Sequence, residues 1–116
     1  MSRRRIYFKY DVPFTVVQIV NSLCADYTRR ARLINDNTVP GSVRDTYQAL
    51  NSVIDTALDE IEIGLRREML NDISEGRGYN RSGCSVIIGK NAYYSRKKKL
   101  IHDIAVALNI YADKGR

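Results

Sequence analysis

Residues 42–76 read SVRDTYQALNSVIDTALDEIEIGLRREMLNDISEG, and their reading decides the fold. Apolar side chains recur at Val43, Tyr47, Leu50, Ile54, Ala57, Leu58, Ile61, Leu65, Met69 and Ile73. Steps of three and four residues put such a series on one side of an α-helix. The stripe predicts one long central helix, roughly 50 Å if unbroken. Gly64 is its weak point, because glycine costs about 1 kcal/mol against alanine inside a helix. A kink or break is expected there, and Gly76 is a natural stop. Ser42 with Asp45 three residues later reads as a variant capping box at the start.

Upstream, NDNTVPGS (35–42) is a loop by composition. Before it, Val16, Val17, Val20, Leu23, Cys24, Tyr27, Ala31 and Ile34 again fall at helical spacing. A helix over about 13–34 follows, with Asp11 as cap, Pro13 in the first turn and Arg29, Arg30 and Arg32 on its polar side. The two segments form a helical hairpin, 13–75, preceded by a basic arm, 1–12. RRRIYFKY (3–10) alternates cations and aromatics and reads as an ordered arm or a short strand over 5–10.

Downstream, GRGYNRSGCSVIIGKN (76–91) carries four glycines and one apolar cluster. Three β-branched residues, Val86, Ile87 and Ile88, favour a short strand over 84–88, although a short helix also fits. Asn91 is a sound N-cap for a last helix whose apolar face is Tyr94, Ile101, Ile104, Ala105, Leu108 and Tyr111. Of Tyr93 and Tyr94, at least one belongs to the core. Together these readings give a single domain over 1–116. It is all-α, with short strands expected only at 5–10 and 84–88.

Charge is uneven along the chain. The net charge is +6. From Arg77 to Leu100 there are seven cations, Arg77, Arg81, Lys90, Arg96, Lys97, Lys98 and Lys99, and no acid. Acids concentrate upstream, from Asp55 to Glu75. A one-sided molecule is implied, and an anionic partner with it. Cations at the start of a helix oppose its macrodipole, and a bound phosphate reverses that penalty. Lysine-rich helix faces are also commonly plain solvated surface, which is the competing reading.

The pattern therefore points to double-stranded DNA. Asn91, Ser95, Arg96 and Lys99 are placed to approach bases or backbone, and Lys97 and Lys98 to neutralise phosphates. Tyr93 would contact phosphate or sugar, and Lys90, Arg77 and Arg81 would extend the basic surface. The unit 76–112 is thus the candidate DNA-binding unit.

Other chemistries find little footing. No phosphate loop, dinucleotide fingerprint or nucleophile elbow is present. His102 and Asp103 are adjacent, so on a helix they point about 100° apart and form no relay. Cys24, Cys84 and His102 make no zinc set, and the cysteines read as buried free thiols. Asp55, Asp59 and Glu62 read as an exposed acidic helix face. No cofactor, no metal and no enzymatic activity are expected. With no membrane-length apolar run and no signal-like apolar region after MSRRR, a cytoplasmic protein is expected.

At YYSRKKKLIHDIAVALNI (93–110) the sequence resembles small phage-encoded transcription regulators of the ArpU/RinA type. The resemblance covers about residues 60–110. It rests on Tyr93-Tyr94, the cations Arg96 to Lys99 and the segment Ile104-Ala105 to Leu108, with LRREMLNDI (65–73) as the first helix of the module. It implies a C-terminal helix-turn-helix like the last domain of a sigma factor. It also implies DNA binding by the last helix and control of phage late genes; RNA polymerase is a further candidate partner, as an acidic protein for the basic face to meet. The stretch GYNRSGCSVIIGKN departs from that pattern, since it supplies no clean helix before the recognition helix. Two other functions compete: a phage-encoded inhibitor or adaptor with a basic face, and a DNA-packaging component. A long central helix in a small chain also suggests a homodimer that buries its far end.

Overall fold

The apolar stripe of 42–76 folds as two helices. A computed structural model describes residues 10–112, and among them lie five α-helices, two short 3-10 turns and no strand. The helices are α1 (Phe14–Ala25), α2 (Tyr27–Leu33), α3 (Gly41–Leu58), α4 (Ile63–Glu75) and α5 (Lys90–Ala107). The expected long helix breaks between Leu58 and Ile63, ahead of Gly64, which sits in the first turn of α4 with space around it. The cause is the acidic run Asp59-Glu60-Ile61-Glu62. Carboxylates at a helix C-terminus oppose the macrodipole, and before a helix start they favour it. Tightened bonds end α3 (Glu60 N–H to Ala57 O, 3.2 Å; Ile61 N–H to Leu58 O, 2.9 Å). Arg66 then donates Nε to the freed Ile61 carbonyl at 2.7 Å and Nη2 to that of Asp59 at 3.1 Å.

The segment 13–34 is also divided. Asp26, at φ −93° and ψ 2°, separates α1 from α2. Arg30, placed on the polar side by periodicity, is instead 2% exposed. Its Nη2 takes the Leu23 carbonyl at 2.6 Å and its Nε the Asn51 side chain at 2.7 Å. The guanidinium thus satisfies a carbonyl left over by the break and pins α2 to α3. Both prolines stand just outside helices, Pro13 before α1 and Pro40 before α3. Neither the Asp11 cap nor the Ser42–Asp45 box forms, because each helix begins next to its proline with no side-chain cap. Asp11 is occupied by Lys98.

One apolar core joins α1, α3, α4 and α5, with Val20, Ile54, Leu65, Met69, Ile73 and Ile104 at its centre. Gly76 stops α4 in the left-handed conformation, φ +68°, as its position in the sequence suggests. No strand forms at 84–88. Residues Gly83–Val86 are a 3-10 turn whose N-cap Ser82 accepts from the Cys84 N–H at 3.0 Å. Among the described residues no neighbouring strand is available to pair the backbone. The strand or arm reading of 5–10 lies outside the described residues except for Tyr10. No helix among the described residues is long and apolar enough to cross a membrane.

Candidate nucleic-acid interface

The start of α5 is held by one buried carboxylate. Asp72 of α4 is fully buried. It accepts from Ser82 Oγ, from Tyr93 Oη at 2.9 Å and from Arg77 Nε at 3.1 Å. Three elements therefore meet at one acceptor: the end of α4, the glycine-rich connection and the first turn of α5. Burial and the Asp72 carboxylate together push the Tyr93 phenol well above its ordinary range. Tyr93 is the core tyrosine and is not available to a ligand. Tyr94 is half-buried, and its hydroxyl accepts the Tyr79 N–H at 3.1 Å. The helix begins at Lys90 after Gly89, so Asn91 lies inside the first turn rather than capping it.

The four consecutive cations do not form one patch. A helix turns about 100° per residue, so four neighbours fan around most of its circumference. Arg96 grips Glu62, with Nε donating to Oε1 at 2.8 Å, and this holds the Glu62 carboxyl down to about 2. Lys97 turns inward, donating to the Arg77 carbonyl at 2.7 Å with its ammonium 5.7 Å from the centre of the Tyr93 ring. Desolvation lowers its pKa. Lys98 pairs with Asp11. Lys99 pairs with Asp103 at 2.7 Å and lies 3.7 Å from Glu60. Arg77 is engaged by Asp72 and, at 3.4 Å, by Glu75. The self-repulsion expected from the sequence is thus relieved largely by the protein's own acids, drawn from Asp11, the 60–62 corner, the end of α4 and Asp103.

Other proposed contact residues remain open to solvent. Among the described residues, Arg81, Lys90, Asn91 and Ser95 are exposed, and no ion pair or side-chain hydrogen bond engages them. Asn91 and Ser95 are four residues apart and share a side of α5. The same stripe continues through Lys98 to His102. Just before α5, Val86 and Ile87 are 87% and 57% exposed, an apolar tip between Arg81 and Lys90. Their β-branched run was legible, but its outward direction depends on the Ser82 turn and was not.

The excess charge lies elsewhere. Residues 10–112 contain 13 of the 19 cations and 12 of the 13 acids, which leaves them at +1. The other +5 belongs to residues 1–9 (Arg3, Arg4, Arg5, Lys9) and 113–116 (Asp113, Lys114, Arg116). Between α4 and α5, residues 76–89 hold two 3-10 turns and no α-helix, in place of the short turn of a regular helix-turn-helix. No family model, curated protein or solved structure matches the chain.

Proposed function

We propose that the protein binds double-stranded DNA through the exposed edge of the first half of α5. One observation carries this reading: Lys90, Asn91 and Ser95 stand exposed in the first two turns of a helix that has no acid in its first turn, and Arg81 is exposed in the 3-10 turn that packs against that helix. Exposed donors and cations at a helix N-terminus suit phosphate, and an asparagine on the outward side suits an adenine edge. Arg96, Lys98 and Lys99 are partly exposed, and their carboxylate partners can be exchanged for phosphate at small cost, since surface ion pairs are worth little. The finer proposal, that the DNA is promoter DNA and the outcome control of phage transcription, rests on the resemblance at residues 93–110.

The test is a set of single variants in a duplex-binding assay. Arg81→Ala and Lys90→Ala should each weaken binding on every sequence and shallow its salt dependence, by about one ion each. Asn91→Ala should change sequence preference. If the three variants together bind like the parent, this edge is not the interface.

A second reading is favoured by Val86 and Ile87. An exposed apolar pair between two unpaired cations suits an acidic-flanked protein surface. On that reading, Val86→Ser with Ile87→Ser abolishes a protein complex and leaves DNA binding, if any, unchanged.

A further inference from the structure

Among the described residues five large apolar side chains are exposed, and of these only Val86 and Ile87 are neighbours in sequence. The connection before α5 holds them out. Cys84, two positions earlier, is fully buried. Ser82 Oγ accepts the Cys84 N–H at 3.0 Å, and Tyr79 Oη donates to the Ile88 carbonyl at 2.9 Å. The backbone is therefore fixed on both sides of the pair, and little ordering remains to be done when it meets a surface. Exposed Arg81 and Lys90 flank it.

A receiving surface lies towards the other end of α5. Val53 and Ala57 of α3 and Ala107 of α5 line a groove of about 390 Å³. The two alanines leave open a space that larger side chains would fill. The lining is largely apolar, and its carboxylates are Glu60 and Asp103. Lys99 engages them at 3.7 Å and 2.7 Å, so two carboxylates against one ammonium leave the rim one net negative charge. Tip and groove are therefore complementary: each has an apolar centre, one is flanked by cations and the other by excess acid. They cannot meet within one chain, because position 103 lies about 20 Å along the helix from Lys90 at 1.5 Å per residue.

We propose that the Val86–Ile87 tip of one copy of the chain docks in the Val53–Ala57–Ala107 groove of a second copy. Arg81 and Lys90 then stand beside the acids Glu60 and Asp103 of that copy. This rests on the protein-surface reading of the tip given above and names the surface. Each copy carries one tip and one groove, so the contact is head-to-tail and can repeat. It is small, which makes the association weak and dependent on concentration. A duplex held through Arg81 and Lys90 would exclude the next copy from the tip.

The experiment is sedimentation equilibrium of the full chain without nucleic acid. The weight-average mass should rise at least about 1.5-fold between about 10 µM and about 1 mM, the range of a weak contact. Val86→Ser with Ile87→Ser should remove the rise. So should Ala107→Arg, which fills the groove from an exposed site at the end of α5, and Glu60→Lys should reduce it. Helical circular dichroism and melting temperature of each variant should match the parent's. Mixed in equal amounts, the tip variant and Ala107→Arg retain between them one intact groove and one intact tip. The mixture should therefore form a dimer and go no further. A parent that stays monomeric at the higher concentration overturns the second copy as the occupant, and leaves the protein-surface reading to its own test. Association lost in the tip variant but kept in both groove variants overturns the groove and spares the reading of the tip. Association kept in the tip variant overturns both.

Discussion

Arg96 and Glu62 are 34 positions apart in sequence, yet the guanidinium closes on the carboxylate in a two-point grip. The pair joins the first half of α5 to the corner between α3 and α4. It also places one of the expected DNA contacts under the control of an internal acid. On the DNA-binding proposal Glu62 would compete with phosphate for Arg96, because a ligand of the basic run would have to displace a carboxylate that is already in position.

Release of that competition should be measurable. Glu62→Gln should tighten duplex binding by up to about five-fold, the scale of an exposed ion pair. Asp45→Asn is the control, because it removes the same charge from an exposed site at the start of α3. Equal effects of the two substitutions would show that Arg96 takes no part in the contact.

The same pair gives a pH signature. Arg96 holds the Glu62 carboxyl down to about 2, whereas an unfolded glutamate titrates near 4.3. A depressed folded value stabilises the native state above the unfolded pKa, and the gain is lost as pH falls through the folded pKa. Melting temperatures of the parent and Glu62→Gln should differ by a constant amount above about pH 5 and converge towards pH 2. A difference that persists undiminished at pH 2 contradicts the assignment.

Asp72 should dominate the stability of the connection between α4 and α5. Its removal strands the buried Ser82 hydroxyl and the Tyr93 phenol, while half-buried Arg77 can turn to water. Asp72→Ala should cost about 3 kcal/mol by urea denaturation, the lower end for breaking a buried ionic cluster. Tyr93→Phe removes one donor and should cost about 1 kcal/mol. A loss below about 0.5 kcal/mol for Asp72→Ala would remove this carboxylate as the organiser of the site.

Two glycines should respond with opposite signs. Gly76 has φ +68°, a conformation that costs an L-residue about 1 kcal/mol or more, so Gly76→Ala destabilises. A Cβ on Gly64 would meet nothing within 4 Å, and the backbone there is helical. Gly64→Ala should therefore stabilise by about 0.5 kcal/mol, chiefly by restricting the unfolded chain. Thermal melts of the two variants check both signs.

The helical character of the chain was readable because burial follows a 3.6-residue period, and Ile54, Leu65, Met69 and Ile73 lie where that period puts them. Gly76 was readable because a left-handed stop selects glycine. The stripe does break, but at 59–62 rather than at Gly64, and the acidic run there carries the signal in the macrodipole. Burial of Arg30 and Asp72 was not readable, since each depends on partners far along the chain, Asn51 for one and Tyr93 for the other. At the candidate site the lesson is geometric. Four adjacent cations suggested one patch, but 100° per residue already required them to diverge. Their acid partners Asp11 and Glu62 come from other elements and appear only in three dimensions. Asn91 and Ser95, four residues apart, share one side of α5 and are both exposed.

Fluorescence anisotropy of the full chain with a labelled mixed-sequence duplex, at low and at near-physiological salt, tests the central claim most directly. The account predicts binding at micromolar protein in about 50 mM salt, weakening by several hundred-fold at about 200 mM if roughly five phosphates are contacted. No anisotropy change at about 50 mM salt, with protein raised to tens of micromolar, would contradict it.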